Sequence, residues 1–379
     1  METKTLLALM IASILIASGC SPGSIEEKAQ EAIKIGYIGP LSGPSAVLGM
    51  DAIKAIEIAA DEANTKGGID GALVKVVAED DQYIPEKTLT AYNKLVQADD
   101  ARIILVSTYG GVEALKGQAK KDGVVLIDPL DCNSQLALAD NNIFCLATET
   151  ESIGESLASY MGEHGMKKAG VLYSTKDNFM SLVADAFKKK LGESGGSTVE
   201  ENYAYTDTDF KTQLMKLNEI GPDVIVFLGH DETGLAMKQA REIGVTAQFM
   251  ATGTITSPGL QESSGGAAEG TLFAYWEPSS ENRIARAFEE KFVAKAGRPP
   301  ILPLTTHPAY DTMKVLTEKV LPSAVRFPKS EQAIAVKQAL IGVRGFAGTT
   351  GEITMGIDGA VRIKESVFRL EGGKAVREK

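Results

Sequence analysis

Few side chains in this chain are suited to bond-making chemistry, and they are scattered. The 379 residues include three His and three Cys, and His164, His230 and His307 share no metal-ligand spacing. No Gly-x-Gly-x-x-Gly follows a strand, no phosphate-loop Gly-Lys-Ser/Thr occurs, and no Gly-x-Ser-x-Gly elbow is present. The expectation is therefore a protein that is not an enzyme and uses neither cofactor nor metal. What the sequence does offer is binding chemistry, in short Gly-rich or polar loops that directly follow apolar runs. Ser42 and Gly43 come after IKIGYIG, Tyr109, Gly110 and Gly111 after ARIILVST, and Asp128, Leu130 and Asp131 after VVLI. His230 comes after DVIVFLG, where a solvated loop histidine is the competing role, and Thr252, Gly253 and Thr254 come after AQFMA. Such groups can orient a small solute by hydrogen bonds and charge. The competing role for Ser42 and Gly43 is turn shaping, and for Asp128, Asp131 and Asp231 a turn or helix cap.

The elements that must position these loops alternate. Ile33 to Gly39 reads as a buried strand, and Met50 to Asn64 places Ile53, Ile56, Ala59 and Ala63 at helical spacing. Strand patterns recur at Leu73 to Asp81, from Ala101 and at Val124 to Cys132, with a helical pattern at Pro85 to Gln97. The alternation restarts at Ser152 to His164 and runs through strands ending at Ser174, Tyr205, Gly229 and Gly253, with helices at Asn178 to Leu191, Phe210 to Leu217 and Leu235 to Ile243. Helical segments follow at Asn282 to Ala296, Ala309 to Val320 and Ser330 to Ile341, and alternating polar and apolar residues from Ala360 to Lys374 suit an antiparallel edge. Two successive βα series predict two similar α/β lobes. Ligands of parallel α/β sheets sit outside the carboxyl ends of the strands, where all the loops named above fall.

Length and charge narrow the function. A chain of this size suggests about two domains, and a formal charge of -11 with only short basic runs argues against nucleic acid as a partner. The start, METKTLLALMIASILIASGC, carries an apolar run of roughly a dozen residues, shorter than the about 20 needed to span a bilayer and suited to a signal peptide. Ala17, Ser18 and Gly19 before Cys20 resemble the lipobox of prokaryotic lipoproteins, which implies cleavage after residue 19 and acylation of Cys20. An ordinary cleaved signal with a nearby Cys is the alternative. Residues 20–32 then read as the lipidated Cys and a flexible tether, and the protein is expected to be exported and held at the outer face of the cytoplasmic membrane or in the periplasm. In that compartment Cys132 and Cys145 either close a disulfide or remain two buried thiols.

Several motifs occur in one order: IKIGYIGPLSGP, AADEANTKGGIDG, GLAMKQAREIG, AAEGTLFA, PAYDTMKVL and FAGTTGEITMGIDG. With them, most of the mature chain resembles the branched-chain amino acid (Leu/Ile/Val) type of periplasmic substrate-binding protein. The resemblance implies an α/β type I fold of two Rossmann-like lobes with parallel sheets joined by a three-segment hinge. The lobes would be residues 33–149 plus 276–344, and 150–275 plus 345–379. It also implies a monomer that traps a small amino-acid-like or amphipathic molecule between its lobes and delivers it to an ABC permease. A receptor domain signalling to a membrane partner would use the same cleft.

Carried over residue by residue, the resemblance puts Ser42 and Gly43 at the cleft edge, Tyr109 to Gly111 where the family holds the ligand carboxylate, and Phe179 as an aromatic of the second lobe. The family's acidic partner for the ligand ammonium falls near Gly253, where this chain has none. Leu48, Leu130 and Trp276 add apolar surface, and Thr252 and Thr254 neutral hydrogen bonds. The expectation is that a standard α-amino acid is not bound in the usual pose unless Asp128, Asp131 or Asp231 supplies the charge.

Overall fold

The computed structural model describes residues 31–378 apart from 44, 134, 135, 137, 138, 176, 177 and 205. The leader and the acylation expected at Cys20 lie outside the described residues. The chain first builds β1 (Ile33–Gly39), α1 (Ala46–Thr65), β2 (Val74–Asp80), α2 (Pro85–Gln97), β3 (Ile103–Val106), α3 (Tyr109–Asp122), β4 (Val125–Asp128), β5 (Asp131–Cys132) and β6 (Ile143–Glu149). It continues with α4 (Thr150–Glu163), β7 (Lys168–Ser174), α5 (Asn178–Glu193), β8 (Ser197–Tyr203), α6 (Lys211–Glu219), β9 (Val224–Leu228), α7 (Glu232–Glu242), β10 (Gln248–Ala251), α8 (Pro258–Ser264) and β11 (Leu272–Tyr275). Then come α9 (Arg283–Ala296), α10 (Pro303–Val315), α11 (Leu321–Ala324), α12 (Lys329–Ile341), β12 (Phe346–Gly348), β13 (Gly351–Ile353), β14 (Ala360–Ile363), β15 (Ser366–Glu371) and β16 (Lys374–Arg377).

The strands form two large sheets. In the first the order is β14-β6-β4-β3-β1-β2, with β5 also on β6, and every pairing is parallel. In the second the order is β16-β15-β11-β10-β9-β7-β8, parallel from β8 to β11 and antiparallel at β15 and β16. Helices cover both faces, which is why IILV in β3 and VIVFL in β9 are buried at every position. Ile35, Tyr37, Ile56, Leu105, Phe288 and Tyr310 share the first lobe's main core. Leu172, Phe210, Phe227, Phe249 and Phe273 share one core of the second.

The backbone crosses between the lobes after β6, after β11 and after β14. The last crossover differs from the expected one. Phe346, Ile353 and Met355 pack into the first lobe's core, and β14 pairs in parallel with β6, Ala360 opposite Cys145 and Ile363 opposite Thr148. The chain therefore leaves the first lobe at residues 364–365 rather than after 344, and only β15 and β16 form the antiparallel edge that the whole of Ala360 to Lys374 suggested. β6, β11 and α8 were not anticipated. The run IFCLATE in β6 mixes small and polar residues, so its pattern is weak, yet β4, β5 and β14 all pair with it. Cys132 and Cys145 are disulfide-bonded with Cα atoms 5.3 Å apart, which ties short β5 to β6.

Candidate ligand-binding cleft

The loops after the strands meet between the lobes. After β2, Asp80 and Asp81 organise one rim. Asp80 Oδ1 accepts the backbone N–H groups of Leu41, Ser42 and Gln82 at 2.9, 3.3 and 3.0 Å, and Oδ2 accepts the Ser42 hydroxyl at 2.5 Å. Burial would raise this carboxyl, but the bonds from Ser42, Leu41 and Gln82 outweigh it and hold the group below the ordinary range. Asp81, fully buried, accepts Tyr83 N–H, Thr88 Oγ1 and Thr108 Oγ1 at 2.9, 2.8 and 3.0 Å. Desolvation nonetheless pushes it up. Gln82 and Tyr83 take positive φ values of 53° and 63°, uncommon for side-chain-bearing residues, and this places Tyr83 in the cleft. Gly43 has φ of 84° with open space around it, so glycine there serves the turn.

A cavity of about 40 Å³ lies between the lobes, well below the ~300–1,000 Å³ of sites for drug-sized ligands. Leu48, Tyr83, Leu130, Asp131, Thr148 and Leu304 wall it from the first lobe. Ile153, Phe179, Met180, His230 and Thr252 to Thr254 wall it from the second, and Glu365 reaches it from the last crossover. Contacts across the mouth close it. Tyr83 meets the His230 ring edge-on at 5.3 Å, Tyr109 packs 6.5 Å from Phe179, and Asn178 Nδ2 donates to Glu113 Oε2 at 2.8 Å.

Each wall is held from behind. Asp128 Oδ1 accepts the N–H groups of Leu130 and Asp131, both at 2.9 Å, and the disulfide fixes the next residue, Cys132. Burial pushes the Asp128 carboxyl up to about 7 despite those bonds. Arg298 forks onto buried Asp51 at 2.7 and 2.8 Å, and Ile301 N–H donates to the same carboxylate at 3.0 Å. These bonds seat the segment that carries Leu302 and Leu304. On the second lobe, Thr252 and Thr254 hydroxyls bond at 2.8 Å and Thr254 Oγ1 donates to the Gly229 carbonyl at 3.0 Å. Glu365 is 8% exposed; it bonds the Thr148 side chain, and desolvation raises it to about 8.

Of the residues singled out from the sequence, Leu48, Leu130, Asp131, Phe179, His230, Thr252, Gly253 and Thr254 line this cavity together. Others fall elsewhere. Ser42 is exposed and bonded to Asp80 and Gln82, so it fixes the rim, and Gly43 lies beside it. Tyr109 begins α3 instead of extending a loop, because Thr108 to Gly111 already turn into helix. Gly110 lines a separate space of about 300 Å³ with Thr108, Gly111, Glu113 and Asn178, and Tyr83 lines both spaces. Asp128 stands behind the turn as its cap. Asp231 turns away to accept Ser257 Oγ at 2.7 Å. Trp276 lies in another groove, edge-on to His307. His230, which as a loop histidine suggested solvent exposure, is 4% exposed.

Six lining residues were missed: Tyr83, Thr148, Ile153, Met180, Leu304 and Glu365. Tyr83 had a signal, a polar loop after a strand in VVAEDDQYIPEK. Glu365 had none, since it sits in a segment patterned as an edge strand. Among the described residues no group of His, Cys, Asp and Glu is arranged to hold a metal ion.

Two parallel α/β lobes closing on a small cavity at their strand tips define a cleft-type solute-binding protein. A family model described as periplasmic binding protein matches residues 32–368, and the chain belongs to this family. It is 27% identical over 382 residues to the Leu/Ile/Val-binding protein BraC3 of Rhizobium johnstonii, covering 99% of each chain. It is 25% identical to the Leu/Ile/Val-binding protein homolog 3 of Brucella melitensis, covering 91% of this chain and 93% of that one. In fold it is similar to the leucine-binding protein LivK of Thermotoga maritima, with a TM-score of 0.80 at 23% identity, covering 92% and 98% of the two chains. A solute-binding protein of R. palustris in complex with benzoate has a TM-score of 0.78 at 21% identity, covering 91% and 95%. Members of the family are extracytoplasmic binders of small molecules that serve ABC transporters.

Proposed function

We propose that this protein captures a small amino-acid-like or amphipathic molecule in the interlobe cavity and delivers it to an ABC permease, working as a monomer tethered through acylated Cys20. The observation that carries the reading is the cavity itself, whose lining comes from both lobes and from the last crossover, so that a solute bound there bridges all three. A molecule bound that way favours the closed form by as much as it binds that form better than the open one. The apolar lining of Leu48, Leu130, Ile153, Met180 and Leu304 suits an aliphatic body, in keeping with relatives named for Leu, Ile and Val. Among its described residues the wall contains no Lys or Arg, which disfavours a purely anionic ligand such as the benzoate of the R. palustris structure.

The lipid tether rests on the run that ends at Cys20. Among the described residues no helix is long and apolar enough to cross a membrane. Mass spectrometry of the solute released from the purified protein is the test. A single small solute that rebinds the emptied protein is the expected result, and its absence together with no rebinding from a metabolite library contradicts the proposal. Reading a kinase or chemoreceptor gene beside this one, instead of a permease gene, would favour the sensory alternative.

A further inference from the structure

The charge of the solute can be read from the cavity wall, if the cavity is the solute site as proposed above. We propose that a corner formed by Asp131, Thr148 and Glu365 holds an ammonium group, and that the solute is a small aliphatic amine without a free carboxylate, such as an amino amide or a simple amine.

Three neighbouring strand ends build the corner. Asp131 on β5 is in register with Thr148 on β6, and Thr148 with Ile363 on β14, two residues before Glu365. All three side chains line the cavity. Glu365 is more than nine-tenths buried, and its Oε2 has no hydrogen-bond partner among the described residues. A buried carboxylate oxygen left so is costly unless something brings it a donor or a positive charge. Among the described residues the cavity wall brings none: its lining has no Lys or Arg, and nearby Arg362 is committed to Asp358 at 2.6 Å and Glu149 at 3.1 Å. An ammonium, with three donors and one positive charge, supplies what is missing.

The same inventory works against a carboxylate on the solute. The first turn of α3, whose N–H groups would suit an anion, opens into the separate space beyond Tyr83, beside Glu113. Among the described residues of the cavity wall the remaining polar side chains are the threonine hydroxyls, Tyr83 and His230, facing two acidic groups and no cation. An acidic side chain at the position of Gly253 would also have to displace its neighbours. A Cβ there would lie 2.6 Å from Leu304 Cδ2 and 2.8 Å from Tyr275 Cδ2.

The test is calorimetric titration of the full chain, emptied by unfolding and refolding, with four matched probes: L-valinamide, isobutylamine, L-valine and isobutyrate. Valinamide and isobutylamine are expected to bind, valine at least about tenfold more weakly than valinamide, and isobutyrate not at all. Glu365→Gln and Asp131→Asn, both close in shape to the originals, should each weaken valinamide about tenfold or more without lowering the unliganded melting temperature. Tighter binding of valine or isobutyrate than of valinamide, unchanged affinity in Glu365→Gln, or no binding of any probe overturns the amine assignment. Solute capture itself survives those results wherever a released solute rebinds, and fails separately where none does.

Discussion

On the first lobe's side of the cleft and at the crossover stand two acidic groups, Asp131 and Glu365, beside Thr148 and Tyr83, whereas on the second lobe's side the polar groups are the Thr252 and Thr254 hydroxyls and His230. The supports differ in the same way. The acidic side rests on covalent and ionic ties, the Cys132–Cys145 disulfide, the Asp128 cap and the Asp51–Arg298 fork. The neutral side rests on hydroxyl bonds and on close packing around Gly253. One half of the cleft thus carries the acidic groups and the other sets the shape, and each half can be broken separately.

The shape side is the more sensitive. Gly253→Glu would force an acidic side chain against Leu304 and Tyr275, and overpacking of this kind costs about 1–3 kcal/mol. Because the contact with Leu304 crosses the cleft, that part of the clash falls on the closed form, and affinity for the solute is expected to drop about tenfold to a hundredfold, measured by titration calorimetry. A gain in affinity would show that the second lobe can host the charge.

On the charged side, replacing Cys132 and Cys145 together by Ala removes a crosslink across 13 positions. A loop of that length is worth about 3 kcal/mol in the chain-entropy model, read by urea unfolding. Solute affinity should fall as well, since Asp131 adjoins Cys132. Next, Asp128→Ala leaves the Leu130 and Asp131 N–H groups without their acceptor and should cost about 1 kcal/mol of stability, with a larger relative loss in binding than in folding.

Titration separates the halves further. Glu365 faces Asp131 and Thr148 on its own side and His230 across the cavity, with Arg362 occupied by Asp358 and Glu149. Its carboxyl is raised to about 8 by desolvation, so the folded chain holds a proton that the unfolded chain has released. Stability of the empty protein should therefore decline as pH rises from about 4.5 to about 8, and Glu365→Gln should flatten that decline in thermal unfolding. The smallest effect is expected for Ser42→Ala. Its exposed bond to Asp80 holds only the rim, and exposed contacts of this kind are worth about 0–1 kcal/mol, so affinity should change less than about fivefold.

The legible part of this molecule was its alternation. Runs buried on both faces, such as VIVFL, and helices with one apolar side announced themselves, and the loops after strands gave Leu130, Asp131, His230 and the Thr252 to Thr254 turn. What the sequence hid depended on long-range pairing. β14 carries the same alternation as an edge strand, and only its register against β6 moves the last crossover to residues 364–365 and turns Glu365 inward. Tyr83 owes its place to two positive φ values, which neither Gln82 nor Tyr83 advertises. Ser42 looked like a ligand contact because a rim-holding serine and a solute-holding serine follow a strand in the same way.

Small-angle X-ray scattering from the emptied chain, before and after the released solute is added back, tests most directly whether the two lobes close on a guest. The account predicts a smaller radius of gyration on addition and a smaller response in Gly253→Glu; identical curves with and without solute would contradict it.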